Sequence, residues 1–171
     1  MKNTVNTVDA PTYKAAYVAT SNPSADIENA VINEAIEILD GRLKRGGVHC
    51  TSSEEVSKFL RLKLQQKERE VFAVIFLNSQ HQMIEYDEMF KGTINAASVY
   101  PREIAKKALQ VNAAAIIIAH NHPSGIPTPS EADKRITAAI KKSIALFDIN
   151  LLDHVIVGGG DTFSFAEKGM I

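Results

Sequence analysis

Cysteine is nearly absent from this sequence, with Cys50 as its single example among 171 residues. One thiol cannot form an internal disulfide, so a reducing, cytoplasmic setting is expected. It also excludes a four-thiolate zinc site, so any metal must be held by histidine and carboxylate side chains. His49 lies beside Cys50, but adjacent side chains rarely chelate one ion, and we assign no site to this pair.

Long apolar runs and an excess of one charge are missing as well. No segment approaches the roughly 18 apolar residues that a membrane span needs, and the N-terminus lacks the apolar core of a signal peptide. The formal net charge of -1 predicts no general attraction to nucleic acid or to an anionic membrane. The remaining composition, 45% hydrophobic and 23% charged, is that of a globular domain with a real core.

The beginning of the chain differs in pattern from the rest. Residues 1–23 are polar and aperiodic, and we interpret them as a flexible N-terminal arm. Residues 24–51 contain one helical pattern, from Ile27 to Leu43, which predicts an N-terminal helix packed on the domain. Residues 52–171 alternate helical patterns with apolar strands, which indicates an α/β sandwich around a central mixed sheet. Helices are predicted at 52–66, 101–112 and 130–146, and strands at 71–78, 82–90, 113–119, 149–159 and 161–167.

Two histidines stand at the end of the apolar strand at 113–119. Residues i and i+2 of an extended segment point the same way, so His120 and His122 can face one ion while Asn121 faces away. Asp133, in the first turn of the next helix, can add a carboxylate. Such a set suits tetrahedral zinc and leaves a fourth position for water, whose pKa then falls from about 15.7 toward about 7. We expect His154 to be buried beside this site, because a fourth protein ligand would displace the water.

Hydrolysis by such a site also needs a hydrogen-bond donor for the oxyanion and a general base for the water. Attack on a carbonyl requires a donor for the developing oxyanion, and Ser130 lies between the histidines and Asp133. The S-x-x-D spacing is also that of a capping box, so Ser130 can equally do no more than cap the helix. A carboxylate must accept the proton of the water. Glu70 and Glu88, which each flank a strand of the predicted hairpin, are the candidates.

The text HNHPSGIPTPSEAD resembles the JAMM signature of the MPN+ metallopeptidases, in which H-x-H, seven residues, Ser, two residues and Asp follow one another. In its fuller form it looks like the RadC branch of that superfamily. Other segments agree and occur in the right order, among them FLNSQHQMI, MFKGTINAASVYPREIAKKALQVNAAAIIIAHNHPSG and LLDHVIVGG. The resemblance covers roughly residues 52–171.

This resemblance implies an α/β, three-layer-like sandwich around a central mixed β-sheet, the JAMM/MPN (cytidine-deaminase-like) architecture. It implies one Zn²⁺ per chain, held by His120, His122 and Asp133, with Ser130 stabilising the tetrahedral intermediate. The position of the catalytic glutamate matches Glu70, just before VFAVIFLN, and Glu88 is the alternative base. The implied activity is zinc-dependent hydrolysis of peptide or isopeptide-type amide bonds in a protein or peptide, by a metal-bound water.

The name of the family also suggests a role with DNA. RadC-like proteins usually carry a helix-hairpin-helix segment before the JAMM domain. The region before residue 52 shows one long helix and no such hairpin, so we expect a short RadC-type form. A DNA-repair or recombination factor, acting as a metal-dependent nuclease or a non-catalytic scaffold, is the alternative function, and a homodimer is compatible with either. Basic residues near one helix could form a local patch, although we interpret them as a solvated face: Lys58, Arg61, Lys63, Lys67 and Arg69.

Overall fold

The computed structural model describes residues 25–44, 53–92 and 99–171. The predicted arm at residues 1–23 and the His49–Cys50 pair lie outside the described residues. The chain divides into two compact units, Met1–Ala35 and Ile36–Ile171. The described helices and strands, in chain order, are α1 (Ala25–Lys44), α2 (Ser53–Leu64), β1 (Val71–Leu77), β2 (Met83–Lys91), α3 (Pro101–Gln110), β3 (Ala115–Asn121), α4 (Glu131–Ala145), β4 (Asn150–Gly158) and β5 (Asp161–Ser164).

The five strands form one mixed sheet in the order β2-β1-β3-β4-β5. β3 and β4 are parallel, and every other neighbouring pair is antiparallel. Parallel strands need a crossover connection, which α4 supplies between β3 and β4. β1 and β2 form the predicted hairpin. The predicted α/β class with a central mixed sheet is therefore confirmed.

Helices cover both faces of this sheet and produce three layers. On one face, α2 buries Phe59 and Leu60 in a core that it shares with alternate residues of β1, β3 and β4. On the other face, α3 and α4 bury Ile104 and Ile140 in a second core. β1 is buried at every residue, as expected for a strand with helices on both sides. The three-layer arrangement predicted for the domain is confirmed.

The first helix has the extent that its apolar periodicity predicts. Within the second unit, Ile36 and Leu39 of α1 pack against the core on the α2 side. Nearer its start, Ile27 is 43% exposed and Val31 is 52% exposed. The division into an arm, an N-terminal helix and a domain beginning at residue 52 stays a prediction.

The strand that carries the histidines is shifted relative to the prediction. Asn112 adopts φ 54°, and the N–H of Ala113 donates to the carbonyl oxygen of Ala108 at 2.9 Å. These residues therefore complete the end of α3, and β3 begins only at Ala115. At its other end β3 stays paired with β1 through His120 and with β4 through Asn121. One of the two histidines is consequently part of a central strand.

Candidate metal centre

His120 occupies a central position near the end of β3. It pairs in register with Phe72 of β1 and Ile156 of β4. Its ring stacks on Phe72 with centroids 6.0 Å apart, and its side chain is 1% exposed. Its Nδ1 lies 2.9 Å from Nε2 of His154. With Nδ1 engaged inside the protein, Nε2 is the nitrogen that remains for a ligand.

His122 follows β3 directly and is held by the loop after it. Its backbone N–H still donates to the carbonyl oxygen of Val157 at 2.8 Å. Its Nδ1 lies 2.7 Å from the carbonyl oxygen of Ile126. A carbonyl oxygen can only accept, so Nδ1 carries the ring hydrogen and Nε2 of neutral His122 presents a lone pair.

Asp133 is oriented by the N-cap of α4. The Ser130 hydroxyl oxygen accepts from the Asp133 N–H at 3.2 Å, and the Ser130 N–H donates to Oδ2 of Asp133 at 2.7 Å, which completes a capping box. The Ser130 hydroxyl also donates to the same Oδ2 at 2.6 Å. The capping role considered for Ser130 is therefore present, and it aims the Asp133 carboxylate.

Three side chains converge where β3 ends and α4 begins. The Nε2 atoms of His120 and His122 lie 2.9 Å apart. Oδ1 of Asp133 is 3.2 Å from Nε2 of His120, and Oδ2 is 3.6 Å from Nε2 of His122. One candidate ligand atom from each residue lies within 4.8 Å of the others. These three residues form a candidate metal centre, which is called the metal centre for short.

The chemistry of this donor set fits a metal ion. Two Nε2 atoms that both present lone pairs at 2.9 Å repel each other unless a proton or a cation joins them. Burial alone raises the pKa of Asp133, but the adjacent imidazoles of His120 and His122 and the hydrogen bonds from Ser130 outweigh burial and hold that pKa far below 3.8. The carboxylate is thus ionised, and two imidazole nitrogens with one carboxylate form a common ligand set for divalent metals.

Comparison with known proteins agrees with this geometry. The sequence model of the family described as "RadC-like JAB domain" matches residues 50–170, which include the whole metal centre. The chain belongs to the RadC-like JAB domain family. The resemblance to the RadC branch of the JAMM/MPN superfamily is thereby confirmed.

The relatives of this RadC-like JAB domain include short and long proteins. A UPF0758 protein of Vibrio cholerae serotype O1 is 54% identical over 144 residues, which cover 84% of this chain and 90% of the relative. A UPF0758 protein of Idiomarina loihiensis is 54% identical over 116 residues, 68% of this chain and 52% of the relative. One from Coxiella burnetii is 43% identical over 148 residues, 86% of this chain and 62% of the relative. The chain thus spans most of the first protein and about half to two thirds of the others.

Asn121 connects the end of β3 that carries the histidines to the segment before β1. Its Oδ1 accepts a hydrogen bond from the N–H of Val71 at 2.8 Å. Its Nδ2 donates to the carbonyl oxygens of Lys67 at 3.1 Å and Arg69 at 3.0 Å. The side chain points away from the metal centre, as the alternation along a strand predicts, and it restrains the residues on either side of Glu70.

Glu70 directly precedes the first residue of β1. It precedes Phe72 by two positions, and its carbonyl oxygen accepts from Gly92 at 2.8 Å, which extends the β1–β2 pairing. Alternation therefore directs Glu70 to the face on which Phe72 stacks with His120. The pKa of His122 is raised mainly by the hydrogen bond that its protonated ring makes to Asp133, and the charge of Glu70 adds to that rise.

Glu88 lies on the opposite face. Its Oε1 is 2.8 Å from Nζ of Lys67 and 3.4 Å from the hydroxyl of Tyr86. Tyr86 packs edge-on against Phe59 of α2, with ring centroids 5.4 Å apart. The Glu88 carboxylate therefore belongs to the α2 side of the sheet, and these contacts do not bring it to the metal centre.

Two buried residues stand behind the metal centre. His154 of β4 is 0% exposed and contacts His120, as the sequence predicts for a neighbour of the site rather than a ligand. Burial, and then the charge of His120, hold the pKa of His154 well below 6.5, so its ring is neutral. Its Nδ1 lies 2.6 Å from Oγ1 of Thr137. Thr137 is absent from the residues predicted for the site, although its position four residues after Asp133 places both on one helix face.

Several basic residues near α2 have local partners. Lys58 pairs with Glu54 at 2.6 Å, and Lys67 pairs with Glu88. Nζ of Lys63 lies 5.6 Å and 5.3 Å from the centres of two aromatic rings. These contacts agree with the interpretation of this surface as a solvated helix face. Among the described helices, none is long and apolar enough to cross a membrane.

Proposed function

We propose that this RadC-like JAB domain is a zinc-dependent hydrolase of peptide or isopeptide-type amide bonds. The observation that carries the proposal is the convergence of two imidazole nitrogens and an ionised carboxylate at the end of β3. This cluster is open on one side, since the His122 side chain is 18% exposed and Ser130 is exposed. A substrate can therefore reach the ligand atoms from the Ser130 side.

Zinc is the proposed metal, with one ion per chain held by His120, His122 and Asp133. Zinc favours tetrahedral coordination by imidazole nitrogen and carboxylate oxygen, and three protein ligands leave one position open. When bound, zinc supplies a Lewis acid that lowers the pKa of water from about 15.7 toward about 7. The chain itself must hold the three ligand atoms, move the proton and stabilise the charge of the oxyanion.

Glu70 is proposed as the general base. It accepts the proton of the attacking water and returns it to the leaving amine. Its place two residues before Phe72 supports this role, because Phe72 stacks on His120. The three hydrogen bonds of Asn121 restrain the backbone around it. Glu88, which pairs with Lys67 on the α2 side, serves as the matched control.

Ser130 is proposed as the donor to the oxyanion. Its hydroxyl donates to Oδ2 of Asp133 at 2.6 Å, so its hydrogen already lies at the edge of the metal centre. A carbonyl oxygen that approaches the centre can take over this hydrogen bond. The backbone N–H of Ser130 keeps its own bond to Oδ2, so Asp133 stays oriented when the hydroxyl turns.

A protein or peptide is the proposed substrate, and DNA is the competing one. Affinity for DNA comes largely from phosphate neutralisation by Lys and Arg. The net charge of this chain is -1, and Lys58 and Lys67 are paired with carboxylates. Both facts favour a peptide-type substrate.

The test compares the wild type with Glu70→Gln, Glu88→Gln and His122→Ala. Metal content is measured by elemental mass spectrometry, and hydrolysis is followed as new termini in a mixed peptide library, with labelled duplex DNA in parallel. We expect about one zinc per chain except in H122A. We expect peptide hydrolysis to fall about 10²- to 10⁴-fold in E70Q and to persist in E88Q. A wild type without stoichiometric zinc, full activity in E70Q, or cleavage of DNA instead of peptides contradicts the proposal.

A further inference from the structure

Thr137 and His154 connect Asp133 to His120 on the buried side of the metal centre. Oγ1 of Thr137 lies 2.5 Å from the carbonyl oxygen of Asp133 and 2.6 Å from Nδ1 of His154. Nε2 of His154 lies 2.9 Å from Nδ1 of His120. Because Nε2 of His120 is also 3.2 Å from Oδ1 of Asp133, the four residues close a ring. Thr137 is 4% exposed and His154 is 0% exposed, so these bonds are shielded from solvent.

The donors fix the direction of this hydrogen-bond chain. A carbonyl oxygen only accepts, and two oxygens 2.5 Å apart need a hydrogen between them, so the Thr137 hydroxyl donates to Asp133. Its oxygen then accepts from the Nδ1–H of His154. A neutral imidazole has one ring hydrogen, so Nε2 of His154 accepts from the Nδ1–H of His120. His120 is thereby left with a lone pair at Nε2, which faces the metal centre.

The opposite direction gives a site that cannot take a metal. If Thr137 donated to Nδ1 of His154, then His154 would donate through Nε2 to Nδ1 of His120. The single ring hydrogen of His120 would then sit on Nε2, where the metal has to bind. The choice between the two tautomers of His120 therefore depends on one hydroxyl that touches no ligand side chain.

We infer that Thr137 and His154 are positioning residues, which together set the Nδ1–H tautomer of His120 and so aim its Nε2 lone pair at the metal. The second nitrogen of a metal-binding histidine usually meets a carboxylate, a carbonyl oxygen or a water. Here a neutral imidazole takes that place, and it can accept only because Thr137 takes its hydrogen. Aromatic rings hold both imidazoles, since Phe72 stacks on His120 at 6.0 Å and Phe165 on His154 at 4.7 Å.

This inference rests on the metal site of the proposed function and is independent of the substrate. Its test uses Thr137→Val, which keeps the shape and removes the hydroxyl, and Thr137→Ser, which restores the hydroxyl. Affinity for Zn²⁺ is measured by competition with a chromophoric chelator. We expect T137V to bind Zn²⁺ about 10- to 100-fold more weakly than the wild type, and T137S to bind nearly as tightly as the wild type.

A second readout needs no metal. Nitrogen-15 NMR of the imidazoles in the metal-free protein reports which ring nitrogen of His120 carries the hydrogen. We expect the Nδ1–H form in the wild type and in T137S, and loss of this preference in T137V. If Thr137 has only a structural role, T137V has a lower melting temperature but the same His120 tautomer as the wild type. That result overturns the inference. Equal Zn²⁺ affinity in T137V and the wild type overturns it as well.

A second variant covers the case in which T137V does not fold. His154→Phe keeps a ring between the neighbouring aromatic side chains and removes the acceptor for His120. The same weakening of Zn²⁺ binding and the same loss of the Nδ1–H form are expected, and wild-type behaviour of this variant contradicts the inference. If the wild type itself binds no Zn²⁺, the proposed function fails, while the imidazole spectra still decide whether Thr137 and His154 set the tautomer.

Discussion

The amide oxygen of Asn121 accepts a buried hydrogen bond from the backbone N–H of Val71 over 2.8 Å. Asn121 stands between the two histidines, and Val71 directly follows Glu70. One side chain therefore links the end of β3 that carries the histidines to the segment that carries the proposed base. The two halves of the site are held together by strand pairing and by this bond, although about fifty residues separate them in the sequence.

Asn121→Ala is expected to destabilise the domain. It removes the partners of three backbone groups, the N–H of Val71 and the carbonyl oxygens of Lys67 and Arg69. A buried polar group left without a partner costs about 1–3 kcal/mol, so we expect at least that loss in the free energy of unfolding, measured by urea denaturation. Asn150→Ala, at an exposed position, is the control and is expected to change stability by less than about 0.5 kcal/mol. Equal stability of the two variants would show that the Asn121 bonds contribute nothing.

Zinc is expected to raise the melting temperature of the native protein. A ligand at 100 times its Kd that binds only the folded state stabilises it by about 2.7 kcal/mol. For a chain of this size that corresponds to a shift of about 5–10 °C, measured by differential scanning fluorimetry after removal of metal and re-addition of Zn²⁺. Asp133→Asn keeps the size of the ligand but removes its charge, and its shift is expected to be much smaller. A shift of the same size in D133N means that zinc binds elsewhere.

Gly158→Ala is expected to disturb the loop that holds His122. A Cβ at Gly158 meets backbone atoms of that loop, at 2.9 Å from N of Pro127 and 3.0 Å from C of Ile126. The same loop supplies the carbonyl oxygen to which His122 donates. We expect a loss of about 1–3 kcal/mol in the free energy of unfolding together with weaker Zn²⁺ binding in chelator competition.

Gly169→Ala separates this steric effect from backbone strain. Gly169 adopts φ +65°, and a Cβ there meets nothing within 4 Å. This control variant is expected to lose stability through strain alone and to bind Zn²⁺ like the wild type. Equal Zn²⁺ affinity in G158A and G169A contradicts the proposed contribution of the loop contact.

The sequence contains most of the information that brings the ligands together. Alternation along a strand places His120 and His122 on one side, and a helix capped by Ser130 places Asp133 in its first turn, beside them. The burial of β1 also follows from its unbroken apolar run, Val71–Leu77. These features are local, so they depend on spacings of a few residues that a single sequence displays directly.

Features that depend on the approach of distant segments could not be predicted in the same way. Distance along the sequence does not decide which of Glu70 and Glu88 faces the histidines. The structure distinguishes them, because Glu88 contacts Lys67 and Tyr86 on the α2 face. The role of Thr137 depends on the register that brings His154 of β4 beside His120 of β3. No short pattern encodes that register, because it pairs two strands that the whole of α4 separates in the sequence.

Asp153 is expected to make stability depend on pH. Burial raises the pKa of Asp153, against hydrogen bonds from Ser164 at 2.6 Å and from the N–H groups of His154 at 2.7 Å and Ala166 at 2.9 Å. Between its unfolded pKa near 3.8 and its higher folded pKa, the folded state binds more protons than the unfolded state. Stability therefore falls as the pH rises through this window. The penalty is absent below about pH 3.8 and complete above the folded pKa.

Asp153→Asn removes this penalty because an amide does not ionise in that range. We expect the unfolding free energy of D153N, relative to the wild type, to increase between acidic pH and pH 7. It is measured by urea denaturation with a chelator present throughout, so that metal release does not contribute. Asp161→Asn, at an exposed position of β5, is measured in parallel as the matched control for replacing a carboxylate with an amide. If the D153N difference stays constant or decreases as the pH rises, burial does not raise the pKa of Asp153, and its three hydrogen bonds dominate instead.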